Sequence, residues 1–303
     1  MRSMIRWTLV AAALVCAAAA FGADVQKTFA SPDDAAKALA DAAGRGDVQA
    51  LRAILGPGSQ ALVQSGDAVE DRAGRERFAH AYGEAHRIDL RGDAKAVLLV
   101  GKDEWPLPIP LVKAAGGWRF DARQGEEEIL NRRIGRNELA AIQAVQAYVD
   151  AQREYYLRNP QGDKLLHYAL RFGSSPGKRD GLYYPTKPGE APSPLGPLYA
   201  SAKAAGYEKR KDGLPSPYHG YHYRILTSQG PHAQGGAFSY LAQGRMLGGF
   251  ALVAWPATYG VSGVMTFMVN HEGVVFEKDL GPGTAEQVRK ITRFDPDATW
   301  KRD

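Results

Sequence analysis

The sequence predicts an α+β protein that consists of two units joined by a long helix. Helix start signals in the first hundred residues are followed by short alternating runs, which are typical of an antiparallel meander. Residues 137–156 form one amphipathic segment, which predicts the long central helix. Near the C terminus, residues 246–255 and 261–269 are apolar on both faces and predict buried strands of a second antiparallel sheet. The predicted units are residues 23–125 and 126–303.

Residues 1–22 have the three parts of a secretory signal peptide. Arg2 and Arg6 give a positive start, residues 8–21 are apolar, and small residues around Phe21 offer a cleavage site. The apolar run is shorter than the about 20 residues that a membrane span needs, so we expect cleavage rather than a stable transmembrane anchor. The mature protein is therefore expected to be periplasmic or secreted.

Cys16 is the only cysteine, and it lies inside the predicted signal peptide. A lipid anchor would use Cys16, but Val15 is bulkier than the small residue that usually precedes a lipidated cysteine. After cleavage the chain has no disulfide, thiolate nucleophile or cysteine metal site. Residues 23–150 have 17 basic and 20 acidic side chains, and residues 151–303 have 19 and 13. This balance is too weak to support binding to nucleic acid.

Three helices are predicted in the N-terminal unit. Ser31 can cap the first, because Pro32 follows at the position that suits proline and two acidic residues come next. Asp47 can cap the second, which the Gly-Pro-Gly sequence at residues 56–58 ends. The third is expected at residues 71–84.

Short strands separated by turn residues follow these helices. They are expected at residues 86–90, 95–101, 107–113 and 118–121. Pro106, Pro108 and Pro110 lack backbone N–H donors along one side, so their strand should lie at an edge of the sheet. Three helices before a curved meander that ends in GGWRFD resemble the cone of the nuclear-transport-factor-2-like superfamily, over residues 24–122. The resemblance implies a cone-like N-terminal unit.

The central helix is expected to begin at Asn137, which can act as its N-cap. Its apolar stripe is predicted to contain Leu139, Ile142, Val145, Val149 and Tyr156. This stripe should cover one face of the C-terminal sheet, and the N-terminal unit or the following loop should cover the other. The basic residues before the helix, Arg132, Arg133 and Arg136, are expected to pair with the glutamates at residues 126–128.

A long loop at residues 173–197 has six prolines and five glycines, and an irregular segment of this length is often functional or a linker. We expect Tyr183 and Tyr184 to anchor it and Lys178, Arg179 and Asp180 to be exposed at its tip. These five residues form the candidate interaction loop, which could bind an acidic partner or be only a solvated surface.

The remaining chain is predicted to be mainly β, with further strands at residues 219–227, 238–241 and 274–279. A helix at residues 284–294 should close the chain, with Thr284 and Gln287 forming a capping box. The segments ELAAIQAVQAYVDAQREYY and FALVAWPATYGVSGVMTFMVNHEGVVFEKDLG resemble the globular part of type IV pilins in their order of elements. The apolar N-terminal helix of pilins is missing before them, so the resemblance implies a pilin-like architecture and no place in a pilus.

Five motifs together resemble an exported bacterial family known as domain of unknown function 2950. They are GKDEWPLPIPLV, EEEILNRRIGRNELAAIQ, SPGKRDGLYYP, SPYHGYHYRIL and GGFALVAWPATYGVSGVMTFMVN. They span most of the mature sequence. The resemblance implies no catalytic residue, since none is established for that family.

The SPYHGYHYR segment contains the residues that would best suit a ligand site, namely His219, Tyr221, His222, Tyr223 and Arg224. On a strand, His219 would share a face with the two tyrosines and His222 with Arg224. The segment could be a polar sheet edge, a ligand pocket, or part of a metal site completed from elsewhere. The His-Glu pair at residues 271–272 is interpreted as a hairpin turn, and GVSGV lacks the last glycine of a nucleophile elbow.

No catalytic residue, metal site or cofactor is predicted. The expected function is that of an exported cell-envelope protein that binds an envelope protein or surface component without catalysis. The alternative is a small-ligand or hydrolytic enzyme with a site near His219 and His222.

Overall fold

The structure, a computed structural model, describes residues 26–207 and 216–303. The predicted signal peptide and its cleavage site lie outside the described residues, so export stays a prediction. The described chain is a mixed α+β protein with antiparallel sheets and a long central helix, which confirms the predicted fold class.

The N-terminal part begins with four helices, α1 (Pro32–Gly44), α2 (Val48–Leu55), α3 (Gln60–Val63) and α4 (Ala68–Glu84). The predicted caps of the first two helices are confirmed, since Ser31 Oγ accepts from Asp34 N and Asp47 Oδ1 accepts from Ala50 N. The last of the four begins three residues before its predicted start, because Asp67 caps it.

An antiparallel sheet follows these helices. Its strands are β1 (His86–Leu90), β2 (Lys95–Val100), β3 (Trp105–Pro106), β4 (Leu111–Ala114) and β5 (Gly117–Phe120), in the order β1-β2-β4-β5. Strand β3 pairs only with β2, where Pro106 lies opposite Leu99, so the predicted edge position is confirmed for Pro106. Pro108 and Pro110 lie between β3 and β4, and the strand predicted at residues 107–113 is confined to Leu111–Ala114. The first hydrophobic cluster fills the space between helices and sheet with side chains such as Leu51, Leu98 and Phe120.

The central helix α5 spans Ala122–Arg158, so it begins 15 residues before the predicted start. The prediction that Asn137 is its N-cap is wrong, because Asn137 lies buried on the helix and its Nδ2 donates to Ser262 O at 2.8 Å. Leu139 is also wrongly placed in the apolar stripe and is 65% exposed. Two residues correspond to a rotation of about 200° around a helix, so an inward Asn137 turns Leu139 to solvent.

Helix α5 contacts both parts of the protein. Arg133 donates to Ala61 O and Leu62 O at 2.6 and 2.7 Å, rather than pairing with the nearby glutamates as predicted. Arg132 does pair with Glu128. The predicted boundary between units at residues 125 and 126 falls inside this helix, and the two-domain division stays a prediction.

The C-terminal part has two helices, α6 (Gly196–Ala204) and α7 (Thr284–Lys290). Its strands are β6 (Tyr221–Leu226), β7 (Ser228–Gln229), β8 (Phe238–Ser239), β9 (Leu241–Ala242), β10 (Arg245–Met246), β11 (Ala251–Pro256), β12 (Met265–Asn270), β13 (Val275–Asp279) and β14 (Lys301–Arg302). The main sheet has the order β14-β13-β12-β11-β6. The predicted strand at residues 246–255 is divided, because Leu247 N and Gly248 N both donate to Tyr240 O and turn the chain.

The two faces of the main sheet are covered by different helices. Helix α5 lies over the face of the sheet that carries Leu252 and Tyr223, since Tyr148 of the helix lines one cleft with both and its hydroxyl group donates to Ala251 O. On the opposite face, Arg224 donates to Val288 O and Ile291 O at 2.7 and 2.6 Å, at the end of α7. The prediction that the N-terminal unit or the loop covers this second face is therefore wrong.

The predicted capping box of α7 is also wrong. Gly283 is the N-cap, and Thr284 Oγ1 donates back to Gly281 O at 2.6 Å.

The turn after β12 is the predicted hairpin, and it holds His271 beside aromatic rings. Burial lowers the pKa of His271 below its ordinary value of 6.5. His271 therefore binds a proton more readily in the unfolded chain than in the folded one. The stability that depends on neutral His271 is fully present above pH 6.5 and declines as the pH falls below that value. Relative to His271→Phe, we expect the natural protein to lose more of its free energy of unfolding between pH 7.5 and 5.5, as measured by urea denaturation at each pH.

The matched control is Gln143→Phe, because Gln143 is exposed on α5 and has no titratable side chain. It should leave the pH dependence of the unfolding free energy unchanged. An identical pH dependence in the natural protein and His271→Phe would contradict the prediction.

Candidate ligand-binding cleft

A cleft of about 1240 Å³ lies on the α5 side of the main sheet. Its floor consists of Ala144 and Tyr148 from α5, Tyr223 from β6 and Leu252 from β11. Tyr148 is held in place because its hydroxyl group donates to Ala251 O at 3.2 Å. The floor is thus built from the contact between the central helix and the sheet.

The first wall is the segment at residues 172–185, which contains all five residues of the candidate interaction loop. The segment is fixed by main-chain hydrogen bonds, because Tyr183 N donates to Phe172 O at 2.7 Å and Ser174 N donates to Tyr183 O at 2.8 Å. Tyr184 is buried. The predicted anchoring of the loop by its two tyrosines therefore agrees with the packing.

Lys178 and Arg179 are exposed at the tip of this loop, as predicted. Asp180 is half-buried instead, because its carboxylate accepts from Ser175 N at 2.7 Å and Ser175 Oγ at 2.8 Å. It closes the turn and was wrongly placed among the exposed residues. The Arg179 guanidinium lies 4.9 Å from the centre of the Tyr184 ring and pairs with Glu190.

The second wall is helix α6, which contributes Leu198, Tyr199, Ala202 and Lys203. The Tyr199 ring stacks on the Tyr183 ring of the opposite wall, with centroids 4.2 Å apart and planes inclined by 3°. Such close stacking fixes the distance between the two walls.

One end of the cleft is formed by Tyr207 and Tyr218, whose ring centroids are 5.1 Å apart. The Tyr207 hydroxyl donates to Asp67 Oδ2 at 2.7 Å and accepts from His219 N at 3.1 Å. Asp67 belongs to the N-terminal part of the chain, so this end of the cleft is tied to the start of α4.

The chemistry of the lining is aromatic and cationic. Seven of the 14 tyrosines line the cleft: Tyr148, Tyr183, Tyr184, Tyr199, Tyr207, Tyr218 and Tyr223. Burial raises the pKa of Tyr199, Tyr207 and Tyr223, so these hydroxyl groups keep their protons at neutral pH. The charged residues among the described lining are Lys178, Arg179 and Lys203. The cleft therefore offers apolar rings, neutral hydroxyl groups and positive charge.

The SPYHGYHYR residues do not form one site. His219 precedes β6 with a φ of +49°, so its predicted place on the strand is wrong. Its Nδ1 lies 3.2 Å from Glu70 Oε1, and this hydrogen bond lowers the pKa of Glu70. Tyr221 is buried and donates to Met265 O. Of the five predicted residues, Tyr223 lines the cleft.

The other two residues of that group, His222 and Arg224, lie on the α7 side of the sheet. The His222 ring centroid is 5.5 Å from that of Trp255, and the Arg224 guanidinium is 5.6 Å from the Trp255 ring centre. Their predicted common face is confirmed by the register with β11. Within residues 26–207 and 216–303, no three His, Cys, Asp or Glu side chains are grouped so that they could hold a metal ion.

Several cleft residues were not predicted from the sequence as site residues, namely Tyr148, Leu198, Tyr199, Lys203, Tyr207, Tyr218 and Leu252. The density of tyrosines between residues 183 and 223 was the available signal. Tyr148 and Leu252 gave no such signal, because a helix or strand pattern explains them as core residues.

Residues 26–302 match the model of a protein family described as Protein of unknown function (DUF2950). No curated protein and no solved structure matches the chain. The likeness to the nuclear-transport-factor-2 cone and to pilins thus remains one of element order. Among the helices of the described residues, none has an apolar stretch long enough to cross a bilayer.

Proposed function

The chain belongs to the family described as Protein of unknown function (DUF2950), and from that premise we propose that it is an exported cell-envelope protein that binds a ligand in its aromatic cleft. Export rests on the predicted signal peptide at residues 1–22, and one observation carries the proposed binding role. Seven tyrosine rings, drawn from α5, α6, β6 and the segments between them, converge on a single concave surface. Large pockets lined by aromatic rings with a few polar groups are typical binding sites.

The walls of the cleft are fixed by backbone contacts, which supports binding over a purely structural role. Leu195 N donates to Leu182 O at 3.0 Å, which joins the loop to the start of α6. A Cβ on Gly181 would lie 2.7 Å from the backbone of Gly173, so the two arms of the loop approach closely. Walls held by such contacts lose little conformational entropy when a ligand binds, which favours affinity.

The alternative, a small-ligand or hydrolytic site at His219 and His222, is favoured by one contact, the hydrogen bond between His219 and Glu70. A carboxylate can orient a histidine in this way for proton transfer. The two histidines contact different elements, however, since His222 packs against Trp255 of β11. A catalytic role would therefore fall to His219 with Glu70 alone.

Occupying the cleft with a bulky side chain tests the proposal. Ala202 is half-buried in the cleft wall, whereas Ala200 is exposed on the same helix and does not line the cleft. We expect an uncharged solvatochromic dye to bind the natural protein saturably, and Ala202→Trp to weaken this binding by about tenfold or more because the indole fills the cleft. Fluorescence titration gives the dissociation constants.

The control variant Ala200→Trp should bind the dye as the natural protein does. Circular dichroism and thermal unfolding would verify that both variants are folded. If both variants bind the dye with unchanged affinity, or if the natural protein shows no saturable binding, the cleft is not the binding site.

A further inference from the structure

The geometry points to a ligand with one long aliphatic chain and an anionic head group, such as a long-chain carboxylate. This inference rests on the proposed function, because it assigns a ligand class to the same cleft. Three features of the cleft argue for it, namely its size, the kind of polar group that it lacks, and the charge at its rim.

The size of the cleft favours an extended ligand. Its volume of about 1240 Å³ exceeds the range of about 300–1,000 Å³ that is usual for compact small molecules. Its surface is mostly ring and aliphatic carbon, with Phe172, Leu195, Leu198 and Leu252 beside the tyrosines. A chain of methylene groups could lie along these carbon surfaces without losing a hydrogen bond.

The polar groups of the lining argue against sugars and extended peptides. The lining formed by the described residues has no Asp, Glu, Asn, Gln or His side chain. A sugar or a peptide needs hydrogen-bond partners for many polar groups. The Tyr148, Tyr207 and Tyr223 hydroxyl groups of the lining are already hydrogen-bonded within the protein. Burying either against rings, leucines and prolines would leave polar groups unpaired at a cost of about 1–3 kcal/mol each.

The charge at the rim supplies the head-group preference. The ionised side chains of the described lining are all cations, and Arg179 is already paired with Glu190. Lys178 and Lys203 are exposed and have no ion pair in the described part of the chain. Both are therefore available to an anionic head group, while the methylene chain occupies the aromatic interior.

The test compares three single-chain amphiphiles of equal chain length below their micellar concentrations: palmitate, hexadecanol and hexadecyltrimethylammonium. Displacement of the uncharged dye from the natural protein measures their affinities at low salt. We expect palmitate to bind about tenfold more tightly than hexadecanol, and the cationic amphiphile to bind most weakly. The preference for palmitate should shrink as salt is added.

A double variant that removes both cleft lysines locates the head group. Lys178→Ala combined with Lys203→Ala should weaken palmitate binding by about threefold to tenfold and leave hexadecanol binding unchanged. Lys187→Ala is the matched control, because Lys187 is exposed in the same loop but does not line the cleft. It should change neither affinity.

The outcomes separate this inference from the proposed function. Suppose that Ala202→Trp loses dye binding, but the natural protein binds palmitate and hexadecanol with equal affinity. The cleft is then a binding site, and the preference for an anionic head group is wrong. If none of the amphiphiles displaces the dye, the ligand class is wrong. Binding to vesicles with anionic lipids, but not to monomeric palmitate, would also overturn it in favour of a membrane surface.

Discussion

Asp67→Ala is expected to lower the free energy of unfolding by about 3 kcal/mol, because it removes a buried hydrogen-bonding centre. Asp67 is 1% exposed. Its Oδ1 caps α4 by accepting from Val69 N and Glu70 N, at 3.1 and 3.2 Å. Its Oδ2 accepts from Tyr207 OH and Gly220 N, at 2.7 and 2.9 Å.

The two oxygen atoms of Asp67 thus serve two different parts of the chain. Losing the cap alone costs about 1 kcal/mol. The Gly220 N–H and the Tyr207 hydroxyl would in addition lose their acceptor inside the protein, which adds about 1–3 kcal/mol. Since Tyr207 lines the end of the cleft, the dye affinity of the variant should also fall.

Urea denaturation of Asp67→Ala and Asp47→Ala measures the difference. Asp47 is also the N-cap of a helix, but it is exposed, and in the described chain its carboxylate accepts a hydrogen bond from Ala50 N alone. Its replacement should cost about 1 kcal/mol and leave dye binding unchanged. Equal losses in the two variants would show that Asp67 is only a helix cap.

Local signals in the sequence were enough for much of the fold. The cap at Ser31, the edge prolines around Pro106 and the turn at His271 each follow from chemistry within a few residues. The start of α5 could not be predicted in this way, because asparagine is a favoured N-cap residue when only the neighbouring sequence is considered. Its side chain is instead bonded to Ser262, 125 residues further along the chain.

The residues of the candidate site likewise include some that the local sequence predicted and others that it did not. Composition identified the loop at residues 173–197, and Tyr183, Tyr184 and Lys178 do line the cleft. The strand-face argument failed at His219, because the positive φ of that residue places it before the strand. Asp67 could not be found from the sequence, since its partners Tyr207 and Gly220 are 140 and 153 residues away. Contacts over such separations depend on the tertiary fold.

Gln152 joins the central helix to the segment that leads into the cleft wall, and it is 0% exposed. Its Nε2 donates to Ala169 O at 2.8 Å and to Tyr148 OH at 3.0 Å, while its Oε1 accepts from Ala169 N at 2.8 Å. The side-chain amide therefore pairs both the backbone N–H and the backbone C=O of Ala169. In the described chain neither group has a backbone partner.

Gln152→Met keeps the side-chain volume and removes these hydrogen bonds, so it should lower the free energy of unfolding by about 2–3 kcal/mol. Gln146→Met is the matched control, because Gln146 is exposed on the same helix; it should change stability by less than about 0.5 kcal/mol. Loss of the anchor at Ala169 should also loosen Phe172 and the wall after it, which raises the dissociation constant of the dye. Equal stability of the two methionine variants would mean that the segment is held by its apolar contacts, and that the buried amide is not needed to position the wall.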